Sequence, residues 1–208
     1  MKQYRLETLG SFDALKQVVA ETPKPGLREV LVRIRAASLN HRDLNIITGG
    51  YTSHALLPDV IPLSDGAGEV ASVGAGVKRW KAGDRVAPIF VQRWIGGDLQ
   101  LEYMPSALGG PDQGVLSEYI VSSEEGLVRI PQHLSFEEAA SLPCAAVTAW
   151  NAAMVQGRLR AGDTLVTLGS GGVSLFAAQF GLLAGARVIA TTSSSAKAEQ
   201  LRALGVAE

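Results

Sequence analysis

Seven residues, Leu168 to Ser174 (LGSGGVS), form the stretch of the sequence best suited to chemistry. Glycines at 169, 171 and 172 place bare main chain where a helix starts, and a helix start offers unpaired N–H groups and a positive dipole end to an anion. Ser170, Gly171, Gly172 and Val173 are therefore candidate contacts for a pyrophosphate. The spacing is GxGxxS, with Ser174 where the dinucleotide fingerprint has its third glycine, a position that serves close helix-to-strand packing. About 20 residues past the first glycine, an NAD site needs a carboxylate for the ribose 2′-OH. The chain has Thr191, Thr192, Ser193, Ser194, Ser195 and Lys197 there, with no acid before Glu199. Hydroxyls and an ammonium suit a 2′-phosphate, which a carboxylate would repel, so Thr192, Ser193 and Lys197 point to NADP(H) rather than NAD(H). The alternative for the same residues is that Ser194 or Ser195 caps the following helix and Lys197 stands on its wet face.

Such residues need a strand, turn, helix and strand to position them. Asp163 to Leu168 predicts a parallel strand buried on both faces, and Arg187 to Thr192 predicts a second. Between them Val173, Phe176, Ala177, Phe180 and Ala184 fall at helical spacing and predict one apolar face. A right-handed crossover puts the start of that helix at the strand's carboxyl end. Upstream the punctuation changes. From Tyr4 to Val128, short runs at 29–39, 68–74, 84–91 and 117–121 lie among Gly and Pro and read as strands of an antiparallel, barrel-like β domain. In VLVRIRA, Val30, Val32 and Ile34 alternate with Leu31, Arg33 and Arg35, so one face is expected inside and the other mostly wet. Segment 93–114 has no period and predicts a long functional loop, whose Trp94, Ile95, Leu99, Leu101, Tyr103 and Met104 suit either a substrate wall or an interface. Ser135 and Glu138 have capping-box spacing and start a helix; Pro143 interrupts it before a second piece carrying Val147, Trp150, Asn151 and Met154.

Of the 208 residues 47% are apolar and 19% charged, with 19 Lys and Arg against 20 Asp and Glu. That is enough for a buried core, and it lacks the basic footprint that nucleic acid or an anionic membrane requires. The sequence shows no signal-peptide or transit pattern and no membrane-length apolar run. The single cysteine, Cys144, excludes an internal disulfide framework. A cytoplasmic protein is expected, with neither nucleic acid nor membrane as partner. His54 and His133 lie in loop-like contexts and are expected to be solvated. No Ser, His and Asp set at motif spacing supports a hydrolase.

Order and spacing together carry a family resemblance through RAASLNHRDLNIITGGY (35–51), PLSDGAGEVASVGAGVKRWKAGDRV (62–86), GVLSEYIV (114–121), LSFEEAASLPCAAVTAWNAA (134–153) and the run from LGSGGVS to RALGV (168–206). In these the chain resembles the medium-chain dehydrogenases/reductases, in particular their zinc-independent quinone oxidoreductase-like, alcohol dehydrogenase-like branch. The resemblance implies a combined α/β and β fold. A GroES-like β-barrel catalytic domain would cover 1–131; connecting helices and the first part of a doubly wound Rossmann domain would cover 132–208, with the active site in the cleft between. It further implies NADPH-dependent hydride transfer to a quinone, enone or related carbonyl, and a homodimer for the full-length form.

By the same resemblance Asn40, Asp43 and Thr148 would line the nicotinamide end, with Arg42 supplying positive charge. Each has a structural alternative: Asn40 and Asp43 fixing a turn, Thr148 bonding within its helix, Arg42 facing water. Zinc-dependent relatives hold their metal with a Cys in the segment matching Leu39 to Asp43, a His in a GHE motif and a later Cys. This chain has Asn40, Ser64 and Cys144 there, so no metal site is expected, a set of His41, Asp65 and Cys144 being the substitute that chemistry would allow. Cys144 then reads as a small buried residue. The family pattern continues beyond residue 208, with four more Rossmann strands and a return segment. The expectation is thus an incomplete Rossmann domain with open strand edges, and the alternative to an enzyme is a non-catalytic, truncated nucleotide-binding or oligomer-forming remnant.

Overall fold

A computed structural model describes residues 1–51 and 55–207, and the chain divides into two compact units, Met1–Cys144 and Ala145–Glu208. The first is built on an antiparallel sheet of β3 (Glu29–Ser38), β4 (Asp65–Val73), β5 (Arg85–Pro88), β6 (Tyr119–Ser123) and β7 (Leu127–Arg129), in the spatial order β6-β3-β4-β5-β7. Preceding it, β1 (Lys2–Leu6) and β2 (Leu15–Val19) form a hairpin that the sequence pattern did not mark. Val30 and Val32 are fully buried among Leu63, Val70, Val86, Val115 and Leu127. Leu31, expected on the wet side, is buried too, at 8% exposure; the β3–β4 register shifts between Leu31 and Val32, with Ala71 of β4 as the extra residue. A second shift after Ile34 brings strand backbones so close that a Cβ on Gly68 would lie 2.1 Å from the Arg33 carbonyl oxygen.

Between β3 and β4 runs α1 (His41–Ile47), where the sequence suggested at most a turn. Its buried Ile46 and Ile47 pack with Leu6, Ala14 and Val60, so tertiary burial rather than helix periodicity sustains seven residues. The capping box at the next helix, α2 (Phe136–Ala140), forms as the spacing indicated: the Glu138 N–H donates to Ser135 Oγ (3.1 Å) and the Ser135 N–H to Glu138 Oε2 (2.7 Å). Ala139 and Ala140 bury against Ala67, Ala87 and Ile130, which assigns this helix to the β unit. Within the 93–114 segment the backbone makes tight helical turns over Leu101–Ser106.

Helical backbone continues from Leu142, widened into i→i+5 turns over Leu142–Ala146 and Asn151–Gln156 on either side of α3 (Val147–Trp150). Pro143, which lacks an N–H and crowds the preceding turn, accounts for the first widening. The second unit then runs β8 (Thr164–Thr167), α4 (Gly172–Leu183), β9 (Arg187–Ala190) and α5 (Ser195–Ala203), with β8 and β9 paired in parallel. Two expectations are corrected here. β8 is not buried on both faces, since Val166 is 56% exposed and Leu168, just beyond, 79%; α4 covers one side of a two-stranded sheet. The core-facing side of α4 is Leu175, Ala178 and Leu182, with Val188, Leu201 and Val206. Phe176 and Phe180, from the predicted face, stack on each other, and Phe180 meets Trp150 edge-on at 5.3 Å. Among the described residues no helix is long and apolar enough to cross a membrane.

Candidate functional site

In the second unit the turn from β8 into α4 is an open cradle. Gly169 has a φ of +80°, which favours glycine, and a Cβ on either Gly169 or Gly171 would find no atom within 4 Å. Gly171 is the N-cap of α4 and has no side chain to occupy the first-turn amides. Ser174 turns its hydroxyl back to the Leu168 carbonyl (2.9 Å), tying helix to strand. The close helix-to-sheet approach that a third fingerprint glycine would serve is made instead at Gly181, where a Cβ would come within 2.9 Å of both Leu165 and Val188 methyls.

The two strand ends meet at this cradle. Thr191 Oγ1 accepts from the Gly169 N–H (2.9 Å), and Ser170 Oγ stands 3.4 Å from Thr192 Oγ1. Structure therefore brings Ser170, Gly171, Gly172, Val173 and Thr192 together, with Ser193 exposed beside them. The capping alternative for the serine run is realised as well: Ser194 is the N-cap of α5 and accepts from the Lys197 N–H at 3.4 Å. Lys197 itself is exposed in the first turn of α5. No carboxylate occurs between Thr191 and Lys197. Bare amides and space for phosphate form a donor set that fits the diphosphate of a nicotinamide dinucleotide.

In the first unit a polar cluster forms where β3 ends and α1 begins. Asn40 caps α1, and its backbone N–H donates to Asp43 Oδ2 (2.7 Å), so Asp43 does the turn-fixing work envisaged as its structural alternative. Asp43 is 3% exposed, its Oδ1 has no partner among the described residues, and burial pushes its carboxyl above the usual range despite the Asn40 N–H and the charge of Arg42. Arg42 does not face water. Its guanidinium lies 4.9 Å from the Tyr51 ring centroid and 4.8 Å from that of Phe90, Nη1 donates to the Leu108 carbonyl, and Nε and Nη2 are buried without acceptors among the described residues.

Sequence reasoning weighed Asp65 only as a metal ligand, yet it is the hub of this cluster. Fully buried, it accepts from the Asn40 side-chain amide (3.1 Å), the Cys144 N–H (3.1 Å) and the Ser64 hydroxyl (3.3 Å). Burial is the main reason its carboxyl is pushed up to about 6. Burial, then the neighbouring Asp65, raises the Cys144 thiol to about 11, in keeping with a protected rather than reactive sulfur. Among the described residues no three His, Cys, Asp or Glu side chains converge to hold a metal ion. Thr148 is exposed on α3 in the second unit, and His133 is exposed; His54 lies outside the described residues. The loop residues Trp94, Ile95, Leu99 and Leu101 are exposed. A concavity of about 880 Å³ in the first unit, lined in part by Gln3, Arg5, Glu29, Gln92 and Tyr119, meets the Asn40 cluster only at Leu108, whose carbonyl accepts from Arg42.

Residues 26–132 match the alcohol dehydrogenase GroES-like domain. Over 204 residues the chain is 44% identical to a zinc-type alcohol dehydrogenase-like protein of Schizosaccharomyces pombe, covering 96% of this chain and 58% of the relative. A quinone oxidoreductase of Pseudomonas aeruginosa is 35% identical, with 100% and 57% covered. A Sinorhizobium meliloti 1021 protein solved as an alcohol dehydrogenase superimposes with a TM-score of 0.90 at 40% identity, over 99% of this chain and 60% of that one. The chain thus spans a little over half the length of these relatives.

Proposed function

Because the chain belongs to the alcohol dehydrogenase GroES-like family, among the medium-chain dehydrogenases/reductases, we propose that it serves an NADPH-dependent oxidoreductase that transfers hydride to a quinone, an enone or a related carbonyl without catalytic zinc. The observation that carries this reading is the cradle of Gly169 and Gly171, open at the start of a twelve-residue helix and edged by the Thr191 and Thr192 hydroxyls. A bound nicotinamide supplies the hydride. The chain's own part is to bind and to orient. Main-chain amides at Gly172 and Val173 and the Ser170 hydroxyl hold the diphosphate; Thr192, Ser193 and Lys197 receive the 2′-phosphate. In the first unit, Asn40 offers an amide N–H to an oxygen that gains negative charge, and Arg42 adds positive potential from its aromatic sandwich. Thr148 is kept as a further polar group for the nicotinamide end.

Independence from zinc rests on donor chemistry. Asn40 is a neutral amide already engaged with Asp65, and Ser64 spends its hydroxyl on the same carboxylate, which leaves Cys144 as the one soft donor of the three. A catalytic zinc takes three anionic or imidazole donors plus an open position. The test uses purified, chelator-treated protein. Tryptophan fluorescence is expected to show NADPH binding at least tenfold tighter than NADH, and NADPH oxidation with a quinone or enone is expected to persist. Activity that vanishes on chelation and returns with zinc overturns the metal-free reading; equal affinity for both coenzymes overturns the NADP assignment.

A further inference from the structure

Asp65 has no task in the function just described, although three segments spend hydrogen bonds on it. Ser64 comes from the approach to β4, Asn40 from the cap of α1, and Cys144 from the chain after α2. Among the described residues no Lys, Arg or His is hydrogen-bonded to this carboxylate, and a desolvated acid without a cation is costly to keep. A neutral amide or hydroxyl would serve a purely structural hub at less cost. What an ionised carboxylate does, and a neutral group does not, is accept only. The Asn40 amide must then turn its nitrogen toward Asp65 and cannot flip.

Asn40 is thereby held at two points, its backbone N–H by Asp43 Oδ2 and its side-chain nitrogen by Asp65 Oδ2. An amide nitrogen carries two hydrogens, and one remains. We propose that Asp65 is a positioning residue: its ionised carboxylate fixes the orientation of the Asn40 amide so that the second N–H is available to the substrate's carbonyl oxygen. The inference rests on the proposed carbonyl reduction for its substrate half, while the anchoring half stands on geometry alone. Groups acting on Asp65 are few. Asp43 on α1 opposes its ionisation, the Cys144 thiol lies next to one of its donors, Arg42 acts on both of these, and the β3 residue paired opposite Asp65 is the uncharged Ser38. Protonation of Asp65, favoured by burial and by Asp43, would weaken the charge-assisted hold on the amide at mildly acid pH.

Two readouts on the full chain separate the halves. The first follows the Asn40 side-chain NH₂ resonances by ¹⁵N-correlated NMR from pH 4.5 to 7.5, identified by their loss in Asn40→Ala. They are expected to titrate with a midpoint near pH 6 and to become flat in Asp65→Asn; resonances that are flat in the wild type, or that titrate equally in the variant, overturn the anchoring. The second follows the pH profile of kcat at saturating NADPH. An acid limb of about tenfold is expected in the wild type and not in Asp65→Asn, while Asp65→Ala, where it folds, should lower kcat at least tenfold with little change in KM for NADPH. An unchanged acid limb in Asp65→Asn overturns the positioning role. A wild type inert with every carbonyl overturns the function itself and leaves the anchoring to the NMR result.

Discussion

Ser170 and Thr192 face each other across the two strand ends, their hydroxyl oxygens 3.4 Å apart. The pair closes one side of the glycine cradle, and in the proposed function Thr192 stands where an acid would discriminate against a 2′-phosphate. Thr192→Asp is therefore expected to weaken NADPH at least tenfold relative to NADH, read by fluorescence titration of both coenzymes. A substitution that lowers both affinities alike would show that Thr192 shapes the turn and not the preference.

Lys197 offers a second, separable test. Its backbone N–H already serves the Ser194 cap, and a side-chain change leaves that bond in place. Lys197→Ala should reduce NADPH affinity about tenfold, the free-energy scale of one charge-assisted contact, without changing helix content by circular dichroism. Equal loss of NADH binding would remove the ammonium from the 2′-phosphate site.

Gly68 tests the close strand approach. A methyl group there would sit 2.1 Å from the Arg33 carbonyl oxygen, a backbone atom that cannot rotate away. Gly68→Ala is expected to destabilise the β unit by about 3 kcal/mol, at the upper end of overpacking costs, measured by urea unfolding. A loss below about 1 kcal/mol would mean that the bulge relaxes to admit a side chain.

Asp65 also makes a prediction about stability against pH. Its carboxyl is raised from 3.8 to about 6 by burial, so between these values the folded chain binds a proton that the unfolded chain does not. Its contribution is therefore most favourable below about pH 4, falls by roughly 3 kcal/mol as pH rises to about 6, and is flat above that. Asp84, Glu124 and Glu137 are lowered and act in the opposite sense, so the quantity to measure is the difference between wild type and Asp65→Asn. That difference should change between pH 4 and 6 and be constant above pH 7. A difference independent of pH would show that Asp65 is not the buried acid described.

Cys144 is the chain's one thiol, which makes alkylation unambiguous. With the thiol at about 11, the folded protein holds roughly a hundredth of the thiolate of an ordinary cysteine at pH 8. Iodoacetamide should modify native Cys144 at least tenfold more slowly than the urea-unfolded chain. Comparable rates would contradict the half-buried setting beside Asp65.

Local pattern by itself determined the parts of this protein whose cause is local. Apolar periodicity around 163–192 gave strand, helix and strand, the Ser135–Glu138 spacing gave a capped helix start, and the short runs at 29–39 and 117–121 gave strands, because each depends on neighbours within a few residues. The cradle at Gly169 to Val173 was legible for the same reason. Tertiary structure alone decided the rest. Helix α1 is too short to show a period and exists through burial of Ile46 and Ile47. Which face of α4 turns inward depended on where β8, β9 and α3 lie, and patterning could not distinguish Leu175 and Ala178 from Phe176 and Phe180. Asp65 drew notice only as an imagined metal ligand because its partners stand 25 residues before it and 79 after it. A hydrogen-bond hub assembled from such distant positions leaves no periodic trace, since only the folded chain brings its donors to one carboxylate.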